Sequence, residues 1–218
     1  MDAPLLTVTG LNFAYPCGRR VLDNASLSVR EGERLGLTGL NGTGKTTFFR
    51  VVTGLEKAQG GAIAFEGAPV VTEEDFRALR LKAGLLLQNS DDQLFFPEVL
   101  DDVAFGPLNQ GLSCAEAEAR ARAALAELGI AHLAQAASFS LSGGQKKLVA
   151  LASLTAMRPR LLMLDEPGAG LDAPALARLT ALMRGLACTL IVVSHYEALL
   201  AAVCTRVVRL EGGVFKPA

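Results

Sequence analysis

Apolar and polar positions alternate with a period of two near the start of this chain and with a helical period in its middle. Residues 5–9 and 26–29 alternate along their length with turn-forming residues between them, which predicts two strands. Residues 34–38 read as a short strand ending at a glycine, and 45–53 as a helix stopped by Gly54. Further strands are expected at 63–65 and 84–87. The pattern then turns helical and rich in alanine. Ser113-Cys114-Ala115-Glu116 is a capping box that opens a helix to about residue 128, where Gly129 takes the place of a C-terminal cap. Another helix is expected over 145–157, ended by Pro159. Uninterrupted apolar runs at 161–164 and 189–193 predict parallel strands covered on both faces. Residues 206–215 read as a closing hairpin turned at Glu211-Gly212-Gly213. The sum is one α/β domain over residues 1–218. Its core is drawn from 1–89 and 157–218, with a helical insertion over 90–156.

Composition narrows the function classes. A length of 218 residues leaves room for one domain or two tight lobes. With 21 basic against 22 acidic residues and a net charge of −1, no basic stripe is available for nucleic acid. Half the residues are apolar and the mean hydropathy is +0.34, which raises the question of a membrane span. The most apolar stretch, 179–203, is broken by Arg184, Gly185, Ser194, His195 and Glu197, whereas a span needs about 20 nearly uninterrupted apolar residues. Met1-Asp2-Ala3-Pro4 has none of the basic start of a secretory signal. Cys17, Cys114, Cys188 and Cys204 lie far apart, without a C-x-x-C pair. They read as reduced thiols in a cytosol, with no zinc site expected.

The chemistry concentrates at strand ends. Gly39-Leu40-Asn41-Gly42-Thr43-Gly44-Lys45-Thr46 matches G-x-x-x-x-G-K-[ST], between an expected strand and an expected helix. Glycines let such a loop wrap until its N–H groups converge on phosphate, and the helix N-terminus adds positive potential. Lys45 is expected to reach the β and γ phosphates of ATP, Thr46 to ligate Mg²⁺, and Thr47 to complete the loop. An ordinary glycine-rich turn explains the glycines but not Lys-Thr. Asp165 and Glu166 end a buried strand, where ligands of open α/β sheets collect. There Asp165 can hold Mg²⁺ through water, and Glu166 can polarise the attacking water. Alone, such a pair also reads as a solvated turn. Leu141-Ser142-Gly143-Gly144-Gln145, just before the second long helix, forms another anion site or, in isolation, a flexible link. Two unlike phosphate cradles on one chain suggest that the second serves a nucleotide held elsewhere.

With these elements in order, the chain resembles the ATP-binding subunits of ABC transporters along essentially its whole length. The resemblance implies a P-loop NTPase core, a RecA-like parallel sheet flanked by helices, with an N-terminal antiparallel β subdomain and an inserted α-helical subdomain that carries LSGGQ. It implies a homodimer with ATP and Mg²⁺ between the copies. Gln88 then senses Mg²⁺ and γ-phosphate, Asp172 in Gly170-Leu171-Asp172 lies in the loop between the sites, and His195 touches the γ-phosphate and steadies Glu166. Tyr15, in Phe13-Ala14-Tyr15-Pro16, matches the aromatic that stacks on adenine, although it also reads as a core tyrosine.

A narrower resemblance lies in residues 88–95 and 101–107, which look like the energy-coupling-factor ATPases of cobalt, nickel, biotin and vitamin uptake. It implies an integral membrane coupling protein, a substrate-binding membrane subunit and a peripheral place on the cytoplasmic face of the membrane. Asp91 and Asp92 with Leu94, Phe95 and Phe96 are the expected docking segment. Ser90 stands where a proline is usual and Leu148 where an arginine is common, and the chain ends near Ala218 without the C-terminal extension many relatives carry. A soluble ABC ATPase of repair or translation is the competing reading. The segment between Lys45 and Ser142 is too short for the inserted coiled coil of the repair enzymes.

Overall fold

The computed structural model describes residues 3–89 and 93–218. Two sheets form. In the first, β1 (Pro4–Ala14), β2 (Arg20–Arg30), β4 (Gly60–Phe65) and β5 (Ala68–Pro69) are antiparallel in the order β2-β1-β4-β5. In the second, β3 (Arg34–Thr38), β6 (Ala83–Leu86), β7 (Leu161–Asp165), β8 (Thr189–Val193), β9 (Arg206–Glu211) and β10 (Val214–Pro217) take the order β10-β9-β3-β8-β7-β6. Five of these strands are parallel, and β10 closes the edge antiparallel to β9 as a hairpin.

The apolar runs β7 and β8 are buried along their whole length because the two faces of the sheet serve different cores. Leu161, Met163, Ile191 and Val193 face one side, with Phe48, Phe49, Val51 and Val52 of α1 (Lys45–Val52) and with the antiparallel sheet. The alternate residues Leu162, Leu164, Leu190 and Val192 face the other side. There they join α3 (Val99–Asn109), α4 (Cys114–Glu127), α5 (Gly143–Ala156), α6 (Ala173–Gly185) and α7 (Glu197–Val203). A period of two thus puts an apolar residue on both faces, which leaves no polar alternation to see.

The sequence pattern and the elements agree in kind and differ at the edges. Strand β1 runs five residues beyond its expected end, through register shifts between Val8 and Phe13. The capping box at Ser113 forms, with Glu116 returning to the Ser113 N–H at 3.0 Å. Helix α5 begins at Gly143, two residues early, because Ser142 caps it and Gln145 closes a reciprocal box. Helices α2 (Glu73–Arg80), α6 and α7 were not expected. No helix among the described residues is long and apolar enough to cross a membrane.

Candidate active site

Strand order brings the site together. β3, β8, β7 and β6 are parallel neighbours, so the segments that follow them emerge along one edge of the sheet. The phosphate loop follows β3, His195 follows β8, Asp165 and Glu166 close β7, and Gln88 follows β6. Lys45, Thr46, Thr47, Asn41, Gly42, Gly44, Gln88, Asp165, Glu166, His195 and Tyr15 all line one cavity of about 550 Å³. Residues 119 apart in sequence meet there: Thr46 Oγ1 donates to Asp165 Oδ2 at 2.6 Å.

The loop itself depends on two glycines. Gly39 has φ 144° and a Cβ there would stand 2.6 Å from the Leu210 carbonyl oxygen, while at Gly44, with φ 108°, it would stand 2.9 Å from Val21. Helix α1 carries no side-chain N-cap, and its first three residues line the cavity. Lys45 Nζ is tethered to the Gly39 and Leu40 carbonyls at 2.7 and 3.0 Å, and burial lowers its pKa against the pull of Glu166 and Asp165. Gly39 and Thr43 stand on the far side of the loop, where the Thr43 hydroxyl donates to the Leu40 carbonyl at 3.0 Å. Tyr15 OH pairs with Thr47 Oγ1 at 2.6 Å and its ring meets Phe13 edge-on, so it is both a packed tyrosine and a wall of the cavity.

The two carboxylates are buried and hold their protons unusually well. Burial raises Asp165, opposed by the Thr46 hydroxyl and then by Lys45. Burial also raises Glu166, opposed first by the charge and then by the backbone N–H of His195, reinforced by Asp165 and opposed last by Lys45. Glu166 adopts φ 50°, and the His195 N–H donates to its Oε2 at 3.3 Å. His195 Nε2 stands 3.1 Å from Oε1 without hydrogen-bond alignment, so that buried oxygen has no donor among the described residues. A buried acceptor left without a donor calls for a functional reason.

The second cradle is separate. Ser142, Gly144, Gln145 and Asp172 line another cavity of about 370 Å³, with Gly170, Leu171 and Arg178. Gly143 is the first residue of α5, and Ser142 N–H donates to Gln145 Oε1 at 2.9 Å. Asp172 caps α6 by accepting from the Ala175 N–H at 2.8 Å.

Several residues have a part in the site that the sequence did not assign them. Arg19 lines the first cavity and its guanidinium donates to the Gly42 carbonyl, a contact foreshadowed only by a basic pair after a turn glycine. Gln93 bonds both the Leu87 N–H and the Leu85 carbonyl at 2.8 Å, steadying the end of β6 just before Gln88. Buried Asp102 accepts from the N–H groups of Phe95 at 2.8 Å and Phe96 at 3.0 Å and from the Ser138 hydroxyl at 3.0 Å. It joins the segment after Gln88 to the turn before Leu141. Asp91, Asp92 and Ser90 lie outside the described residues.

The chain is similar to several known proteins. A family model described as ABC transporter matches residues 22–169. The cobalt import ATP-binding protein CbiO of Rhodobacter capsulatus is 44% identical over 96% of this chain and 76% of its own. The solved structure of cbiO1 from Clostridium perfringens, described as part of the ABC transporter complex cbiONQ, has a TM-score of 0.87. It is 33% identical, with 99% of this chain and 88% of that one covered. A dimeric, ADP- and phosphate-bound structure of the ATP-binding cassette MJ0796 has a TM-score of 0.88 at 22% identity, covering 97% and 98%. That last likeness concerns the fold alone.

Proposed function

The chain belongs to the ABC transporter family of ATP-binding, ATP-hydrolysing subunits, and from that premise we propose that two copies close around two ATP molecules to drive solute import through a separate membrane complex. One observation carries this reading: a single chain presents two unlike cradles in two separate cavities. The first has the lysine and the carboxylates but no Ser-Gly-Gly donors. The second has those donors at a helix start, with no lysine or carboxylate pair to act on a phosphate. Each is half of a site.

In the closed dimer, Tyr15 carries the adenine. Asn41, Gly42, Gly44, Lys45, Thr46 and Thr47 hold the phosphates, and Gly39 and Thr43 shape the loop from its far side. Ser142, Gly143, Gly144 and Gln145 of the second copy meet the γ-phosphate, with its Asp172 alongside. The residues fit a magnesium ion. Thr46 and Asp165 meet at 2.6 Å, two oxygen ligands of the kind this ion takes, with Asp165 largely desolvated by burial. With Gln88 they would hold Mg²⁺, Asp165 through water, and the ion would neutralise charge developing on the phosphates. Glu166 takes the proton of the attacking water as its oxygen joins the γ-phosphorus and the bond to the β-phosphate oxygen breaks. His195 keeps Glu166 and that water aligned. Loss of the γ-phosphate removes the link between the copies, so the dimer reopens and moves whatever docks on the helical arm, residues 90–156.

Similarity to a cobalt import protein and to a member of a cbiONQ complex supports a membrane complex of the energy-coupling-factor type, with a coupling protein and a substrate-binding subunit. It favours cobalt or nickel as the cargo, then biotin or another vitamin. It also supports a peripheral place on the cytoplasmic face of the membrane.

The shared sites are tested by mixing two inactive variants. Lys45→Ala damages the first cradle and Ser142→Arg the second. A mixed dimer has one doubly damaged site and one intact site, so mixing is expected to restore ATPase activity. A mixture as inactive as either variant alone overturns the shared-site reading.

A further inference from the structure

Lys147 is a buried cation for which the nucleotide chemistry has no use. It lies in the second turn of α5, two residues after Gln145, and is 6% exposed. A charged group so enclosed needs partners. Its Nζ donates to the Ala169 carbonyl at 2.7 Å and, more weakly, to the Glu166 carbonyl at 3.4 Å. Those carbonyls belong to one turn, since the Ala169 N–H donates to the Glu166 carbonyl at 3.0 Å.

The turn is the pedestal of the catalytic carboxylate. Glu166 is a non-glycine residue at φ 50°, a conformation that its surroundings must impose. Its N–H is anchored on the Val193 carbonyl at 3.0 Å, which ties it to β8. On the carbonyl side the Ala169 N–H holds the Glu166 carbonyl, and Lys147 in turn holds the Ala169 carbonyl at 2.7 Å, with a weaker bond to Glu166 itself. Three residues after Ala169 the same loop reaches Asp172 and the wall of the second cavity. The ammonium therefore fastens the signature helix to the backbone that aims Glu166. Its charge also faces Glu166, whose attraction opposes the lowering of the lysine's pKa by burial.

We infer that Lys147 is a positioning residue for hydrolysis, holding the turn of residues 166–169 against α5 so that Glu166 stays aligned within its own chain's site. This deepens the proposed function and rests on it for one arm of its test. The alternative is that Lys147 shapes the start of α5, and so acts on the nucleotide held by the other copy.

The two roles are separable. Lys147→Met keeps the buried stem and removes the donor. It is expected to lower kcat by about 10- to 100-fold, the cost of a small misplacement of a reacting group. ATP affinity should stay within about twofold, as expected when binding contacts are intact. Lys147→Gln, which retains an N–H donor, should recover most of the loss. In mixed dimers, Lys147→Met with Ser142→Arg should regain activity, because the Ser142→Arg chain keeps a sound Glu166 and receives a sound cradle. Lys147→Met with Glu166→Gln should stay inactive, because each site then has a damaged Glu166. Recovery in the second mixture and not the first would place the effect on the cradle and overturn the inference, as would an unchanged kcat in Lys147→Met alone. If Lys45→Ala with Ser142→Arg fails to recover, the shared-site reading falls, and the kcat of Lys147→Met with its rescue by glutamine still decides the role of Lys147.

Discussion

At the scale of single residues, Glu166 joins burial, an undonated oxygen and an imposed backbone conformation at one carboxylate. A base works deprotonated, so turnover should rise with pH through the pKa of Glu166, which burial places above the ordinary carboxylate range. Glu166→Gln keeps the shape and loses the base. Turnover should fall by about 10²- to 10⁴-fold with ATP affinity preserved, and an ATP-bound dimer should accumulate on gel filtration. The same substitution has a consequence for stability whose sign follows from linkage. A carboxyl with a raised folded pKa binds its proton more readily in the native state than in the unfolded chain. Stability is therefore lost as pH rises from the unfolded toward the folded pKa. Without nucleotide, Glu166→Gln should melt above the unaltered protein at neutral pH, by about 2–4 °C for each kcal/mol recovered. That difference should vanish in acid below the unfolded pKa. Near-normal hydrolysis by the variant would remove Glu166 from the base role.

At the scale of elements, what was legible depended on whether the cause lay nearby in sequence. The loop from Gly39 to Thr46 and the strands β3 and β8 have local causes, and their bounds agree with the sequence pattern. The start of α5 was readable too, since Ser142 and Gln145 form the same kind of box as Ser113 and Glu116. Helix α6 also had a start signal, Asp172 as cap with Pro174 just inside. Its end has a local signal in Gly185, but the groups that satisfy its last carbonyls are distant. The carbonyls of Met183, Arg184 and Leu186 are taken by the Arg34 guanidinium of β3, about 150 positions earlier in the chain. The inward-facing Lys147 could be seen only in phase with buried Ala150 and Leu151, and its acceptors only in the fold. Asp102 is the same kind of case, a first-turn acid whose three donors come from two other segments. Asp102→Ala leaves the Phe95 and Phe96 N–H groups and the Ser138 hydroxyl without it. Unfolding in urea should show a loss of about 1–3 kcal/mol, the range expected when buried donors are left without their acceptor. Amide exchange at Phe95 and Phe96 should speed up more than in β7 or β8. Uniform exchange across the chain would deny Asp102 a local role.

At the scale of the whole molecule, the segments that Asp102 joins also carry the most exposed aromatic side chains. Phe95 is 77% and Phe139 83% exposed, and Phe105, on the same helix as Asp102, packs its ring 5.4 Å from Phe96. Single exposed apolar residues are ordinary on a protein surface. Here three phenylalanines belong to segments fastened at one buried carboxylate. One of those segments follows Gln88 in the first cavity, and another leads into Leu141 and the second cradle. A partner seated on them would feel both cradles through short stretches of backbone, which is the arrangement needed if nucleotide state is to move a membrane protein. Apolar contact is also the term most easily removed without touching chemistry. Phe95→Ala with Phe139→Ala should leave ATP binding and the ATPase activity of the isolated subunit unchanged, because neither side chain lines either cradle. If the proposed membrane complex docks here, co-purification with it and solute uptake should both fall, by about tenfold or more if the pair contributes the energy typical of a buried aromatic anchor. Assembly and uptake at the unaltered level, measured at equal expression, would mean that the membrane partner grips the subunit elsewhere and that these phenylalanines only cover the helical arm.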